Sequence, residues 1–158
     1  LKQLDSVKFI EFNQHLVQDD EAFEAEIRRV IKEAEDTISS GRTAAVYTKR
    51  ERFDLNTGNK EDELRLAVKI SDAVTRIISD LSVRPNFIIA KGGITSSDIG
   101  TKGLRVKRAL VLGQILHGVP VWLTGEESKF PGMPYVIFPG NVGSPTSLLE
   151  AVKIMLPD

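Results

Sequence analysis

Apolar residues recur along this chain with two periods, near two residues and near 3.6, and the switching between them outlines the elements. Residues 7–12 alternate enough to predict a strand. Phe23, Ile27, Val30, Ile31, Ala34 and Ile38 then fall on one face of a helix, with Glu24, Glu26, Arg28, Arg29, Lys32 and Glu33 opposite them. Asp19 and Asp20 offer that helix a start and Gly41 a stop. Its charges read as a solvated face with no assigned role. Residues 43–48 read as a central strand. A second helix is expected over 60–81, with Asn59 as its cap and Glu61, Asp62 and Glu63 at the positive end of its dipole. Leu64, Leu66, Val68, Ile70, Val74, Ile77 and Leu81 wrap most of its circumference, which predicts cover on more than one side. Pro85 ends the connection, and residues 86–90 form the next strand.

Beyond that strand the pattern changes. Two apolar β-type runs, 106–116 and 119–123, meet at His117-Gly118, a spacing that suits an antiparallel hairpin. Residues 135–138 give one more strand. A last helix is expected from Ser144, with Pro145 at its first position and Leu148, Leu149, Val152 and Met155 as its buried stripe. Strand–helix alternation followed by a hairpin predicts an α/β fold: three layers, with a mixed, mostly parallel sheet, helices on both faces and an antiparallel hairpin. The expected organisation is a single domain over 1–158.

Two glycine corners punctuate this order. Lys91-Gly92-Gly93-Ile94-Thr95-Ser96-Ser97-Asp98 joins a short buried strand to a helix start, and Pro139-Gly140-Asn141-Val142-Gly143-Ser144 does the same further on. Glycines at such a bend permit a tight turn and let an anion approach bare N–H groups. Thr95, Ser96 and Ser97 can cap the helix or hydrogen-bond a ligand oxygen. One glycine turn is weak grounds for a site, because many only let a helix pack closely on a strand. Two on neighbouring strands would bring both helix ends to one crevice. Neither corner has the Gly-Lys-Ser/Thr of a Walker loop or the G-x-G-x-x-G of a dinucleotide fold, so a standard P-loop ATPase and a nicotinamide dehydrogenase are both disfavoured.

Composition narrows the choice further. With 41% apolar and 27% charged residues and a net charge of −1, the chain is of ordinary globular type and carries no basic excess for nucleic acid or a membrane surface. No cysteine is present, so disulfides and thiolate metal sites are ruled out, and His15 and His117 lie too far apart in sequence to suggest a metal pair. No apolar run approaches membrane-spanning length and there is no signal peptide, so cytoplasm is the expected compartment. The start at Leu1 leads us to expect a fragment of a longer protein.

Read together, Gly92-Gly93-Ile94-Thr95-Ser96, then Leu110-Val111-Leu112-Gly113-Gln114-Ile115 with Gly118-Val119-Pro120, then Phe138-Pro139-Gly140-Asn141-Val142-Gly143, resemble the carboxyl-terminal nucleotide-binding domain of the four-carbon acid sugar kinase family. Tyr47-Thr48-Lys49-Arg50 fits the same pattern, and the resemblance covers nearly the whole chain. It implies an ATP-dependent kinase of threonate- or erythronate-type acids. ATP phosphates would rest on Gly92, Gly93, Ile94, Thr95, Gly140, Asn141 and Gly143. Mg²⁺ would bridge phosphates and keep several waters. No protein metal ligand is assigned. The partners implied are nucleotide, a small sugar acid and an amino-terminal substrate domain of the same chain, with a homodimer as an option. That missing domain would supply the catalytic base, so this piece alone is expected to be inactive. The alternative is a catalytically silent nucleotide- or anion-binding or interaction module of a multidomain protein.

Other residues have both a functional and a plainer role open to them. Lys49, Arg50 and Arg52 follow a strand, at the edge where α/β ligands sit, and otherwise form a charged loop. Asp98 either touches metal through water or compensates the helix N-terminus. Lys91 either reaches a phosphate or is the solvated end of a strand. Trp122 reads as packing and His117 as a turn residue. Phe130 and Met133 would cover adenine if their loop acts as a lid, and otherwise belong to a plain connection.

Overall fold

The structure, a computed structural model, describes residues 1–51 and 58–156. Arg52 therefore lies outside the described residues. The chain divides into two compact units: residues 4–83, and residues 84–158 together with the first three. Among the described residues the strands fall into two sheets rather than one.

In the unit of residues 4–83, β1 (Val7–Phe12) and β2 (Thr43–Thr48) pair in parallel, Val7 opposite Thr43 and Phe12 opposite Thr48. The helix α1 (Asp20–Ser39) is the crossover between them, and the Asp19 carboxylate caps it by accepting from the Ala22 N–H at 3.0 Å. The apolar stripe of α1 is buried at Phe23, Ile27, Val30 and Ala34 against β1 and the turn that holds Val17, each of the side chains larger than alanine contributing roughly 1.5–3 kcal/mol. The rings of Phe12 and Phe23 lie 5.6 Å apart. A second helix, α2 (Lys60–Ser79), is tied to α1 by a bidentate Arg76–Glu24 pair at 2.7 and 3.0 Å and by Lys69 with Asp20.

Sequence periodicity overstated the cover on α2. Ala73, Thr75 and Ile77 are buried, but Leu64 and Val68 in the first half of the helix are exposed. The strand β2 likewise sits at a sheet edge, with Val46 and Tyr47 partly exposed, instead of at the centre.

The unit of residues 84–158 holds a four-stranded mixed sheet. In spatial order its strands are β3 (Ile88–Lys91), β6 (Pro134–Phe138), β5 (Val119–Thr124) and β4 (Ala109–Leu116). β3 and β6 are parallel, and the other two pairings are antiparallel. The expected hairpin turns at His117-Gly118, with Leu116 opposite Val119. Val119, Val121, Val136, Phe138 and Ala151 form the core, and Leu148 and Met155 of the last helix, α4 (Ser147–Met155), pack against it. At the free edge, Leu110, Val111 and Leu112 of β4 are exposed, where the register shifts between Val111 and Gly113. Among the described residues no helix is long and apolar enough to cross a membrane.

Candidate functional site

The two glycine corners leave the carboxyl ends of adjacent parallel strands. Lys91 closes β3 directly opposite Phe138, which closes β6. Gly92 donates its N–H to the Phe138 carbonyl at 2.8 Å, and a β-carbon placed on Gly140 would stand 3.8 Å from Gly92 Cα. The bends therefore border one patch of surface. This follows from strand order: the chain leaves β3 and returns in parallel beside it as β6, so both loops exit at the same end.

At the first corner Gly92 takes φ 107°, a conformation that L side chains resist, and opens α3 (Gly93–Asp98). Its own amide belongs to the sheet, so Gly92 acts as the turn and does not face a ligand with its N–H. The first helical N–H groups, on Gly93, Ile94 and Thr95, have no intrahelical acceptor, and among the described residues no side chain caps them. Their neighbours do not fill the space. A β-carbon on Gly93 would meet nothing within 4 Å, although its φ is ordinary. Ile94 is 77% exposed and contributes backbone rather than packing.

The hydroxyls after these glycines take separate tasks. Ser96 is buried, and its Oγ donates to the Ala90 carbonyl at 2.8 Å, so it fastens the helix to β3 instead of meeting a ligand. Beneath it, the Tyr135 hydroxyl donates to the Ser96 carbonyl at 2.6 Å from a fully buried ring, and burial raises the phenol's pKa. This Ser96–Tyr135 post supports the corner, and sequence spacing alone carried no sign of it. The helix continues through a wider π-type turn, Ile99–Gly103. There a β-carbon on Gly100 would press to 3.2 Å from the Tyr135 ring. Asp98 ends α3 and pairs with Lys102 at 3.1 Å, so it does not compensate the helix N-terminus as one sequence reading had it.

The second corner is built differently. The helix α4 begins at Ser147, three residues later than expected, and Pro145 lies in the turn before it. Ser144 donates its N–H to Ser147 Oγ at 2.8 Å, and Ser147 returns its own N–H to the Ser144 carbonyl at 3.1 Å. Gly143 is confined by this knot: its φ is 90°, and an added β-carbon would stand 2.7 Å from Ser147 Cβ and Oγ. Gly140 is not confined, for its φ is ordinary and its nearest neighbour is Gly92. Val142 anchors the loop in the core beside the hairpin, where a β-carbon on Gly118 would reach within 3.2 Å of it. Gly140, Asn141 and Gly143 are exposed at the rim.

Several other candidates take plainer roles. Phe130 and Met133 are buried, and the Thr124 hydroxyl clamps their loop by donating to the Phe130 carbonyl at 2.5 Å and accepting the Met133 N–H at 2.9 Å. That loop is a connection and does not act as a lid over a base. Lys49 and Arg50 belong to the other unit. There the buried Gln14 amide accepts the Lys49 N–H at 2.8 Å and donates to the Lys49 and Glu51 carbonyls. A groove of about 510 Å³ in that unit, between α1 and α2, is lined by charges that include the Arg76–Glu24 and Lys69–Asp20 pairs. Among the described residues no group of three or more His, Asp or Glu side chains could hold a metal ion.

The profile of one family, described as a nucleotide-binding C-terminal domain, matches residues 1–148. The chain belongs to this family. Comparison with curated proteins returns no match. Among solved structures, the chain is similar to a Bordetella bronchiseptica domain of unknown function (DUF1537) with bound citrate, a domain-swapped dimer. Identity is 19% and the TM-score 0.67, over 98% of this chain and 36% of that one. A Haemophilus influenzae protein of the same DUF1537 group aligns at 18% identity and TM-score 0.62, over 94% of this chain and 34% of that one. The chain thus spans about a third of the length of the solved proteins it matches. The nucleotide-binding carboxyl-terminal domain read from the glycine motifs is thus borne out, as is the mixed α/β fold class.

Proposed function

We propose that this nucleotide-binding domain is the ATP site of a kinase that transfers the γ-phosphate of ATP to a hydroxyl of a four-carbon acid sugar such as threonate or erythronate. The observation that carries this reading is the pair of glycines, Gly93 and Gly140, that the fold does not need. Neither has a left-handed φ, and neither would meet a crowded neighbour as alanine. Their bareness keeps the space beside the strand ends open, which suits a bulky anion.

The residues present fit a polyphosphate. The N–H groups of Gly93, Ile94 and Thr95 stand uncapped at a helix start, and Gly140, Asn141 and Gly143 form the opposite rim. Phosphoryl transfer asks chiefly for positioning and for donors aimed at developing charge, and preorganised backbone amides supply both. Mg²⁺ would arrive on the phosphates with its waters and neutralise part of their charge. Gly92, grouped with these residues on sequence, supports them as the turn. The proton acceptor for the sugar hydroxyl, and the pocket for the acid, would lie on a further domain of a longer chain. A cytoplasmic setting and a homodimeric assembly belong to the same reading.

Titration calorimetry with ATP and Mg²⁺ tests it: heat and a thermal shift are expected, and silence at millimolar nucleotide overturns it. The citrate bound to the Bordetella protein favours a second reading, an anion-binding module without transfer activity. Citrate that competes with ATP, in a chain carrying its substrate domain yet showing no turnover of threonate or erythronate, would select that reading.

A further inference from the structure

Among the described residues, Lys91 is the cation that the backbone places between the two corners. It is the last residue of β3, next to Gly92 and opposite Phe138. Its side chain is exposed and lies along the surface. The ammonium lies over the Phe138 ring, 5.0 Å from the centroid, and 3.5 Å from the Gly140 carbonyl. Lys91 thus folds from the first corner across to the second.

Two features make this more than a resting place for a strand-end lysine. The Gly140 oxygen contact is at the outer limit of a hydrogen bond, and an ammonium has three donors, so little holds Lys91 there and donors remain to be used. Among the described residues no carboxylate pairs with Lys91, whereas Arg29, Lys32, Arg76 and Lys102 all have acidic partners. In addition, a carbonyl at the rim of an anion hollow repels the anion, and a cation on that carbonyl offsets the repulsion.

We infer that Lys91 is a specificity-determining residue of the proposed nucleotide site, one that moves its donors from the Gly140 carbonyl to phosphate oxygens and so favours polyphosphate over singly phosphorylated or neutral occupants. This rests on the nucleotide reading above. A flexible point charge suits the task, because it follows phosphates of differing geometry.

The test compares wild type with Lys91→Met and Lys91→Arg by calorimetry, using ATP, AMP and inorganic tripolyphosphate, each with Mg²⁺. Lys91→Met should weaken ATP and tripolyphosphate about tenfold and AMP about twofold or less, and Lys91→Arg should restore most of the loss. The thermal midpoint without ligand should stay put, since only a loose contact is removed. Equal ATP affinity in wild type and Lys91→Met overturns the inference and leaves the nucleotide reading standing. An equal loss for AMP and ATP also overturns it, because the lysine would then not be counting phosphates. If wild type binds none of the three ligands, the nucleotide reading falls, and this inference with it.

Discussion

The two glycine corners look alike in sequence and are built on opposite plans. At the first, the helix starts at once: Gly92 makes the turn and Gly93 is already helical, so uncapped amides lie directly beside the strand end. At the second, eight residues of loop, knotted by Ser144 with Ser147, intervene between β6 and α4. A helix dipole fades within its first turn. The first corner therefore presents helix-end amides, and the second presents a rim of loop backbone held by Val142 and Gly143. Each corner pairs a glycine that the backbone demands, Gly92 or Gly143, with one that it does not, Gly93 or Gly140. A glycine motif thus mixes residues that keep the fold with residues that keep the space.

Substitutions should separate these two kinds. The largest effect on folding is expected at Gly143→Val, where a left-handed φ and a 2.7 Å clash with Ser147 combine. We expect a loss of about 3 kcal/mol in urea unfolding. A wild-type midpoint would mean that the Ser147 knot yields easily, and the comparison would collapse. Gly93→Val should do the reverse: ATP affinity falls at least tenfold, about 1.4 kcal/mol by the usual conversion, while stability shifts by only about 0.5 kcal/mol. A variant that melts early yet binds as before would make Gly93 a structural glycine.

A smaller effect is expected beneath the first corner. Tyr135→Phe deletes one of the donors to the Ser96 carbonyl and leaves it the Ile99 N–H, which should cost about 1 kcal/mol. Hydrogen exchange should rise at the start of α3 and stay unchanged at α4. Matching changes at both corners would show that they share a support and weaken the contrast drawn here.

The smallest effect serves as a control in the other unit. There a hydrogen bond to Arg76 lowers the Glu24 carboxyl to about 2 from an ordinary 4.5. A depressed carboxylate stabilises fully above its unfolded value and ceases to do so below its folded one. Its contribution should fade as pH drops from about 4.5 towards 2, and Glu24→Gln should flatten that part of the stability curve. The pair is exposed, so the change should be slight and should leave nucleotide affinity at pH 7 untouched.

Much of this could be read from the residues in order. The α1 stripe and its Asp19 cap, the hairpin at His117-Gly118 and both glycine corners stand where periodicity and turn chemistry placed them. Readings that needed a neighbour fared less well. The apolar first half of α2 suggested a buried helix, yet Leu64 and Val68 face outward, because circumference says nothing about what lies opposite. Pro145 suggested a helix start that Ser147 takes instead, and the turn before it is held by the Ser144 N–H donating to Ser147 Oγ. Phe130 and Met133 suited a lid by composition and became core through one Thr124 hydroxyl.

What the residues determined by themselves was local: the period of each element, the glycines that permit a turn, and the family motifs around them. Those are short-range properties, set by backbone sterics and by side chains a few positions apart. Tertiary structure alone decided that β6 returns parallel beside β3, that the amide of Gly92 is spent on Phe138, and that Lys91 folds towards Gly140. Strand pairing brings together residues nearly fifty positions apart, and no local period records which strand end will lie beside which.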